Sequence, residues 1–241
     1  MLSPTLIVIE LGLKPPPVIE TSWTAAIGAA SAVVAIPNRT IASAPSASRR
    51  PRADTIPTMP AASAPFAALT GEAAPLGLTL SAEQIASCER YADLLIERNT
   101  SINLTAITLP ADIAHKHFLD SWTAFAVRAW TGRECVIDIG SGAGFPGLAL
   151  RLARPGLAVT LVESVGKKAR FVQEACAALG ITDVEVRNER AETVAQERRG
   201  RYDVGTARAV GTLGQVIEYL LPLLRVGGDA IAWKGRVSDE L

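Results

Sequence analysis

Residues 138–147 read DIGSGAGFPG and contain four glycines and one proline, directly after the apolar residues Val136 and Ile137. A short β-branched run that ends in a glycine-rich turn is typical of a buried strand leading into a helix. Glycine has no Cβ, so its backbone adopts unusual dihedral angles and lets another group approach closely. In an open parallel sheet, ligands bind beyond the carboxyl ends of the strands, where such turns lie. The stretch therefore predicts an α/β fold with a ligand site at this turn.

Strand and helix patterns alternate along the rest of the chain. Strand patterns cover residues 134–139, 158–163, 183–187, 202–206 and 229–233. Helical patterns cover residues 146–154, 166–179, 191–199 and 212–224. Such alternation predicts a doubly wound, mostly parallel sheet. Gly205 is unfavourable inside the fourth of these strands, because glycine weakens strands.

The first 75 residues differ in composition from the remainder. They hold most of the fifteen prolines, are rich in Ala, Ser and Thr, and lack helical or strand periodicity. Such a segment buries too little apolar surface to compensate for chain entropy, so we predict a disordered extension over residues 1–75. Glu10 and Glu20 argue against a signal peptide, whereas the acid-poor stretch 21–53 leaves a transit peptide as an alternative.

Residues 76–131 are predicted to form a helical part that precedes the core at 132–241. Ser81 is a suitable N-cap for a helix that carries Tyr91 and Leu95 on its apolar face. A second helix is expected after Thr108, which is predicted to be its N-cap, with Pro110 in its first turn.

The composition excludes several classes of function. Basic and acidic residues balance at 24 each, so no overall charge attracts a nucleic acid or a membrane surface. The three cysteines lie far apart and there are only two histidines, so we predict no metal site and a reducing cytoplasmic environment. No apolar run approaches the roughly 20 residues of a membrane helix.

Two ligand classes suit the glycine-rich turn. Residues 142–147 match the dinucleotide pattern GxGxxG, but Gly142 lies three residues beyond Ile139, whereas the first glycine of that pattern ends the strand. The pattern acid-x-Gly-x-Gly-x-Gly, which begins at Asp138, resembles the first motif of class I S-adenosylmethionine-dependent methyltransferases. Glu163 ends the next strand, where a carboxylate accepts ribose hydroxyls in either class.

Further motifs narrow the resemblance. Besides the glycine stretch, the chain contains, in order, NLTAI (103–107), HFLDS (117–121), ESVGKKARFV (163–172), RAE (190–192), ARAV (207–210) and WKG (233–235). Over residues 76–236 this set resembles the RsmG/GidB family of bacterial 16S rRNA guanine-N7 methyltransferases. The resemblance implies a Rossmann-like fold, S-adenosylmethionine as cofactor, and methyl transfer to a guanine in the decoding-region loop of 16S rRNA.

The resemblance and the residue chemistry together give the candidate site. The cofactor residues are Asp138, Gly140, Gly142, Gly144, Phe145, Glu163, Ala191, Glu192 and Arg208. Arg208 is also the one candidate for a catalytic role, because it is expected to face the substrate as well. The candidate RNA-binding residues are Lys167, Lys168, Arg170 and Lys234. A basic helix face that is merely solvated is the alternative for the first three.

Methylation at guanine N7 explains why no nucleophilic triad is expected. N7 carries a free lone pair and no proton, so alignment of the reactants suffices and no general base is needed. His117, Asp120 and Ser121 share one helix face, but we interpret them as a hydrogen-bonded cluster, since neighbours on one helix cannot converge as nucleophile and base.

Two features depart from the family pattern. Residues 1–75 have no counterpart there, and the chain stops after the fifth strand, where the family continues with a helix and an antiparallel pair. We therefore expect a sheet truncated after the fifth strand, with that strand as a destabilising edge. The expected partner is 16S rRNA or the 30S particle, without a membrane and without a required oligomer. A non-catalytic remnant that binds S-adenosylmethionine or RNA, or a nicotinamide dehydrogenase, are the alternative functions.

Overall fold

A computed structural model describes residues 5–10, 33–37 and 63–234 of the chain. Its sheet has seven strands, in the order β2-β1-β7-β6-β3-β4-β5, and all neighbouring strands are parallel. The strands are β1 Thr5–Glu10, β2 Val33–Pro37, β3 Cys135–Ile139, β4 Ala158–Val162, β5 Val184–Arg187, β6 Tyr202–Arg208 and β7 Leu224–Lys234. The five strands predicted after residue 132 are therefore all present, and the last begins earlier than predicted.

Eight α-helices accompany the sheet in the described residues. They are α1 Ser63–Glu72, α2 Ala82–Asn99, α3 Pro110–Ile113, α4 Asp120–Trp122, α5 Gly147–Ala153, α6 Gly166–Ala178, α7 Ala191–Glu197 and α8 Leu213–Leu220. A π-helical stretch, Ala114–Leu119, joins α3 to α4. One apolar cluster contains residues of α2, α5 and α6, and a second contains residues of α7 and α8. This is a doubly wound, Rossmann-like arrangement.

The start of α2 follows the prediction, whereas the start of α3 does not. Ser81 Oγ accepts a hydrogen bond from Gln84 N (3.2 Å), and Gln84 Oε1 accepts one from Ser81 N (2.8 Å), which forms a complete capping box. Thr108 does not cap α3, because the N-cap position is taken by Leu109, whose side chain makes no capping bond. Pro110 begins that helix, where its missing N–H costs nothing.

The expectation of an exposed fifth strand is wrong. β7 lies between β6 and β1, and β1 pairs with it in register from Thr5 opposite Asp229 to Glu10 opposite Lys234. Leu6, Ile7 and Val8 are buried. The prediction of disorder through residue 75 is thus wrong for β1, β2 and α1, and the other residues before 63 lie outside the described ranges.

Gly205 has a packing role that its strand propensity does not reveal. A Cβ at this position would lie 3.0 Å from Leu220 Cδ2 and 3.4 Å from Leu224 Cδ2. The glycine therefore lets the end of α8 approach β6 closely. Among the described helices, none combines the length and apolar character that crossing a bilayer requires.

Candidate active site

The glycine-rich turn begins at the carboxyl end of β3 and is tied to the neighbouring strand. The N–H groups of Gly140 and Ser141 both donate to the Val162 carbonyl at the end of β4, at 2.9 and 3.1 Å. Gly140, Gly142 and Gly144 have φ angles of +69°, +58° and +89°. These left-handed conformations strain any residue with a Cβ, which explains the glycines at these positions.

Two of the three glycines also make room for protein atoms. A Cβ at Gly140 would lie 2.5 Å from Cγ2 of Val210, in the loop after β6. A Cβ at Gly144 would collide with the hydroxyl of Tyr91 from α2. Close approach to a ligand is therefore not the reason for either missing side chain.

Gly142 is the glycine that opens outward. Only the Gly140 carbonyl oxygen, at 3.9 Å, comes within contact range of a Cβ built there. Gly142 is also partly exposed, whereas Gly144 is buried. Of the three glycines, Gly142 is therefore the position that best fits the predicted close approach of a ligand to the backbone.

Asp138 lies beneath the turn and not on its surface, contrary to the expectation of contact with a ligand. Its side chain is 0% exposed. Oδ2 accepts a hydrogen bond from Gly147 N (2.9 Å) and Oδ1 accepts one from Thr206 Oγ1 (2.9 Å). Burial raises the pKa of this carboxyl to about 7, although these two hydrogen bonds act in the opposite direction. Asp138 therefore links the turn to α5 and β6.

Glu163 connects the glycine turn to the start of α6. Its Oε2 accepts from Gly142 N at 2.8 Å, and its Oε1 accepts from Val165 N at 2.7 Å. Asn188, just after β5, donates from Nδ2 to the Glu163 carbonyl at 2.8 Å. Each carboxylate oxygen can accept more than one hydrogen bond, so Glu163 retains acceptor capacity beside the open glycine.

Arg208, at the end of β6, joins the sheet to the helical segment that carries HFLDS. Its Nη1 donates to Asp120 Oδ2 at 2.9 Å and to Ser121 Oγ at 3.3 Å, and its side chain is only 11% exposed. Burial raises the pKa of Asp120, while the charge and hydrogen bond of Arg208 lower it. Ala209, directly after Arg208, has φ +56°, a strained conformation for a residue with a Cβ.

His117 is held as a neutral imidazole. Burial lowers its pKa to about 4, and the positive charge of Arg208 lowers it further in the same direction. Its Nδ1 lies 3.3 Å from Arg208 Nη2, and its Nε2 lies 2.9 Å from Thr105 Oγ1. Because a guanidinium can only donate, Nδ1 is the acceptor and the proton sits on Nε2. Ser121 donates its hydroxyl to the His117 carbonyl, so this group is no nucleophile–base pair.

An aromatic cluster underlies the turn. Phe145 is 5% exposed, and the His117 ring stacks on it with a centroid distance of 4.5 Å and an interplanar angle of 13°. The Arg208 guanidinium carbon lies 5.6 Å from the centroid of the same ring. Phe145 was expected in the cofactor pocket; it is buried and stacks with His117.

The predicted RNA-binding residues separate into two groups. Lys167 and Arg170 are exposed on α6, and Lys168 is half-buried beside them. Lys234 is only 8% exposed, and its Nζ donates to the Gly211 carbonyl at 2.5 Å. Lys234 therefore anchors the loop after β6, and its placement with the exposed cations was wrong.

Ala191 and Glu192 begin α7, after the carboxyl end of β5. Ala191 is 9% exposed and Glu192 is exposed, where its carboxylate raises the pKa of Tyr219. β4 and β5 pair with Val162 opposite Arg187, so both strands end at the same edge of the sheet. In the described part of the chain, no cluster of three His, Cys, Asp or Glu side chains suits a metal ion.

Sequence reasoning missed the groups that fix the turn in place. Tyr91 bonds to the turn itself, Thr206 bonds to Asp138 below it, and Asn188 bonds to the carbonyl of Glu163 beside it. The helical spacing indicated that Tyr91 is buried, but nothing in the sequence shows that its hydroxyl meets the turn.

Comparison with known proteins identifies the family. The family model described as GidB, rRNA small subunit methyltransferase G, matches residues 84–241. The ribosomal RNA small subunit methyltransferase G of Chloroflexus aggregans is 49% identical over 169 residues, which cover 68% of this chain and 70% of that protein. The proteins of the same name from Roseiflexus sp. and Pelotomaculum thermopropionicum are 49% and 42% identical, with 68% of this chain and 71% and 70% of theirs covered. The chain therefore belongs to the rRNA small subunit methyltransferase G family.

Proposed function

We propose that the protein transfers a methyl group from S-adenosylmethionine to N7 of a guanine in the decoding-region loop of 16S rRNA, in the cytoplasm. Family membership supports ribosomal RNA as the substrate. The observation that carries the cofactor assignment is the contact between Glu163 and Gly142 at the open side of the turn.

This contact favours S-adenosylmethionine over a dinucleotide. In dinucleotide-binding folds the backbone amides of the glycine turn face a pyrophosphate. Here the Gly142 amide already donates to a carboxylate, which would repel a pyrophosphate at the same place. S-adenosylmethionine has no phosphate, and when bound it supplies an electrophilic methyl group on its sulfonium.

The residues that would hold this cofactor surround the same opening. Glu163 has the remaining acceptor capacity to bind two ribose hydroxyls. The backbone from Gly140 to Gly144 would form the floor, and Ala191 with Glu192 would flank the adenine. Asp138 and Phe145 act from below, because both are buried under the turn.

The chain's own contribution to the reaction is mainly positioning. Guanine N7 presents a lone pair without a proton, so no side chain has to remove one. Fixing two reactants in line contributes up to about 7–11 kcal/mol to a rate enhancement. Arg208 is held by Asp120, Ser121 and His117, so its charge is largely compensated and its role is to tie the end of β6 to the segment that carries HFLDS.

Contacts with RNA phosphates are proposed for Lys167, Lys168 and Arg170, which lie on α6 within seven positions of Glu163. Such contacts bring the nucleic acid to the site and depend on salt. This surface of α6 would contact the RNA in the same way whether the substrate is free 16S rRNA or the 30S particle.

Calorimetry tests the cofactor assignment. We expect S-adenosylhomocysteine to bind the protein, and Glu163→Gln to weaken this binding strongly. Glu185→Gln is the matched control, because Glu185 is an exposed glutamate of the neighbouring strand β5 that bonds to Arg198. Absence of binding to the unmodified protein, or equal loss in both variants, would contradict the assignment.

Mapping of N7-methylguanine in ribosomal RNA tests the reaction. RNA from cells that lack the protein should lose one methylated guanine in the decoding-region loop, and the purified protein with S-adenosylmethionine should restore it. Restoration by Glu185→Gln but not by Glu163→Gln would connect the modification to the site described above.

A further inference from the structure

Tyr91 brings the helical part of the chain into contact with the glycine turn. It lies on α2, outside the sheet and its connecting helices, and is 0% exposed. Its hydroxyl donates a hydrogen bond to the carbonyl oxygen of Ala143, a distant residue in sequence. Ala143 directly follows Gly142, the glycine whose N–H meets Glu163. One phenol therefore holds the peptide next to the proposed cofactor contact.

Gly144 shows how closely Tyr91 fits this turn. The hydroxyl is the atom that a Cβ at Gly144 would strike, and the next atoms, Cβ and Cδ2 of Leu148, are 3.4 and 3.5 Å away. Without the hydroxyl, a methyl group at this position would meet ordinary contact distances. The space at Gly144 is thus filled by Tyr91 in particular.

The ring of Tyr91 is fixed from several sides. Its centroid lies 5.3 Å from that of Phe145 and 6.1 Å from that of Phe118. The ring of Phe171 from α6 stacks on it at 6.1 Å with an interplanar angle of 17°. Burial raises the pKa of the phenol well above its ordinary value, so the hydroxyl keeps its proton and remains a donor. The donor therefore cannot move away without disturbing the core.

We propose that Tyr91 is a positioning residue for the cofactor turn, which acts by holding the Ala143 carbonyl and thereby the backbone from Gly142 to Gly144. This inference rests on the proposed function, because it assumes that the turn binds S-adenosylmethionine. Tyr91 touches no reacting atom in this assignment. Its effect reaches the ligand through the turn.

The first test compares Tyr91→Phe with Tyr202→Phe. Tyr202 is a second buried tyrosine, at the start of β6, whose hydroxyl lies 3.4 Å from Thr160 Oγ1 on β4 and not at the glycine turn. We expect Tyr91→Phe to raise the Kd of S-adenosylhomocysteine about fivefold, the ratio that corresponds to about 1 kcal/mol for one hydrogen bond. KM for S-adenosylmethionine should rise equally, while kcat at saturating cofactor and KM for RNA stay unchanged. Tyr202→Phe should leave all of these values unchanged.

A second test uses Gly144→Ala in both backgrounds. In the unmodified protein the new methyl group meets the hydroxyl, whereas in Tyr91→Phe only the strain of the positive φ remains. The fold-increase in Kd caused by Gly144→Ala should therefore be smaller in the Tyr91→Phe background. Equal increases in both backgrounds would contradict the inference.

The outcomes separate this inference from the proposed function. If the unmodified protein binds no S-adenosylhomocysteine, the proposed function fails. If the unmodified protein binds the ligand and the two tyrosine variants have the same Kd, the proposed function stands and the positioning role of Tyr91 is wrong. Loss of folding in Tyr91→Phe alone would also overturn it, because the hydroxyl would then serve the core and not the turn.

Discussion

Asp138 accepts a hydrogen bond of 2.9 Å from the backbone N–H of Gly147, at the first turn of α5. The other oxygen of the same carboxylate accepts from Thr206 on β6, again at 2.9 Å. One fully buried acid thus joins β3, α5 and β6 directly below the glycine turn. The first acid of the motif contributes to the site by supporting its backbone, and the second, Glu163, lies beside the opening.

The stability of the protein should fall with rising pH through Asp138. The folded protein holds this proton up to a pKa of about 7, whereas the unfolded chain releases it near the ordinary carboxyl pKa of 3.8. Between about pH 4 and pH 7 the folded state therefore binds more protons, so the free energy of unfolding decreases as pH rises. Urea titrations of the unmodified protein and Asp138→Asn should diverge over this window, the unmodified protein losing stability relative to the variant. Parallel pH profiles would refute the assignment.

His117 should have the opposite pH dependence. Its folded pKa of about 4 lies below the ordinary value of 6.5, so the unfolded chain binds the proton first and stability is lost as pH falls from 6.5 to 4. By NMR, the imidazole should stay neutral, with the proton on Nε2, down to about pH 4. The chain has only two histidines, so the spectrum of His117→Phe assigns the signal. An imidazole that titrates near pH 6.5 would contradict the burial described here.

Arg208 and Asp120 should behave as a coupled pair. Arg208→Met leaves the Asp120 carboxylate, 9% exposed, without its main cation and should lower the free energy of unfolding by about 3–5 kcal/mol. Adding Asp120→Asn removes the carboxylate that Arg208 had neutralised and should restore about 1 kcal/mol or more. Methyl transfer should stay low in the double variant, because the end of β6 is no longer tied to the segment that carries HFLDS. If the decreases in the free energy of unfolding caused by the two substitutions simply add in urea titrations, the two residues act separately.

The exposed cations of α6 should determine RNA affinity. Lys167→Gln combined with Arg170→Gln should weaken binding to a 16S rRNA fragment and flatten its salt dependence, by about 0.7–0.9 in log–log slope for each lost phosphate contact. Arg199→Gln combined with Arg201→Gln is the control, since these exposed residues precede β6 at the opposite edge of the sheet. Binding of S-adenosylhomocysteine should be unchanged in both. Equal RNA affinity of the two double variants would exclude the α6 surface.

The pairing of β1 with β7 should be visible in stability. Val8 on β1 is 0% exposed, whereas Val226 on β7 is 66% exposed. Val8→Asp buries a charge without a partner and should lower the free energy of unfolding by about 3 kcal/mol or more, while Val226→Asp should change it by less than about 0.5 kcal/mol. Thermal or urea unfolding measures the difference. A mild effect at both positions would mean that β1 does not cover this edge of the sheet.

The sequence predicted those parts of the fold that are encoded locally. Alternating strand and helix patterns located β3 to β7, and the Ser81 capping box located the start of α2. It also placed Glu163 beside the turn, because successive parallel strands end at one edge of a sheet. Hydrophobic periodicity and the residues that begin or end helices and strands are sufficient to predict these elements.

What the sequence did not predict depends on contacts between distant segments. β1 lies in the proline-rich first part of the chain, whereas its partner β7 is formed by residues near the other end of the sequence. Lys234 is formally a cation, but its burial against the Gly211 carbonyl follows only from the loop after β6. The meeting of Tyr91 with Ala143 likewise requires the packing of α2 on α5 and α6. The type and spacing of residues in the sequence do not show which distant segments come into contact.

The β1–β7 pairing also has a consequence for biosynthesis. Thr5 emerges from the ribosome long before its partner Asp229, so the side of β1 that faces β7 stays unpaired during most of translation, although β2 on its other side is made early. Contacts of such high sequence separation form slowly and leave aggregation-prone surface available to chaperones and proteases. The indole of Trp233, also on β7, donates to the Asp120 carbonyl at 3.0 Å. We therefore expect β7 to join the sheet and the helical segment around Asp120 together, in a late step of chain maturation.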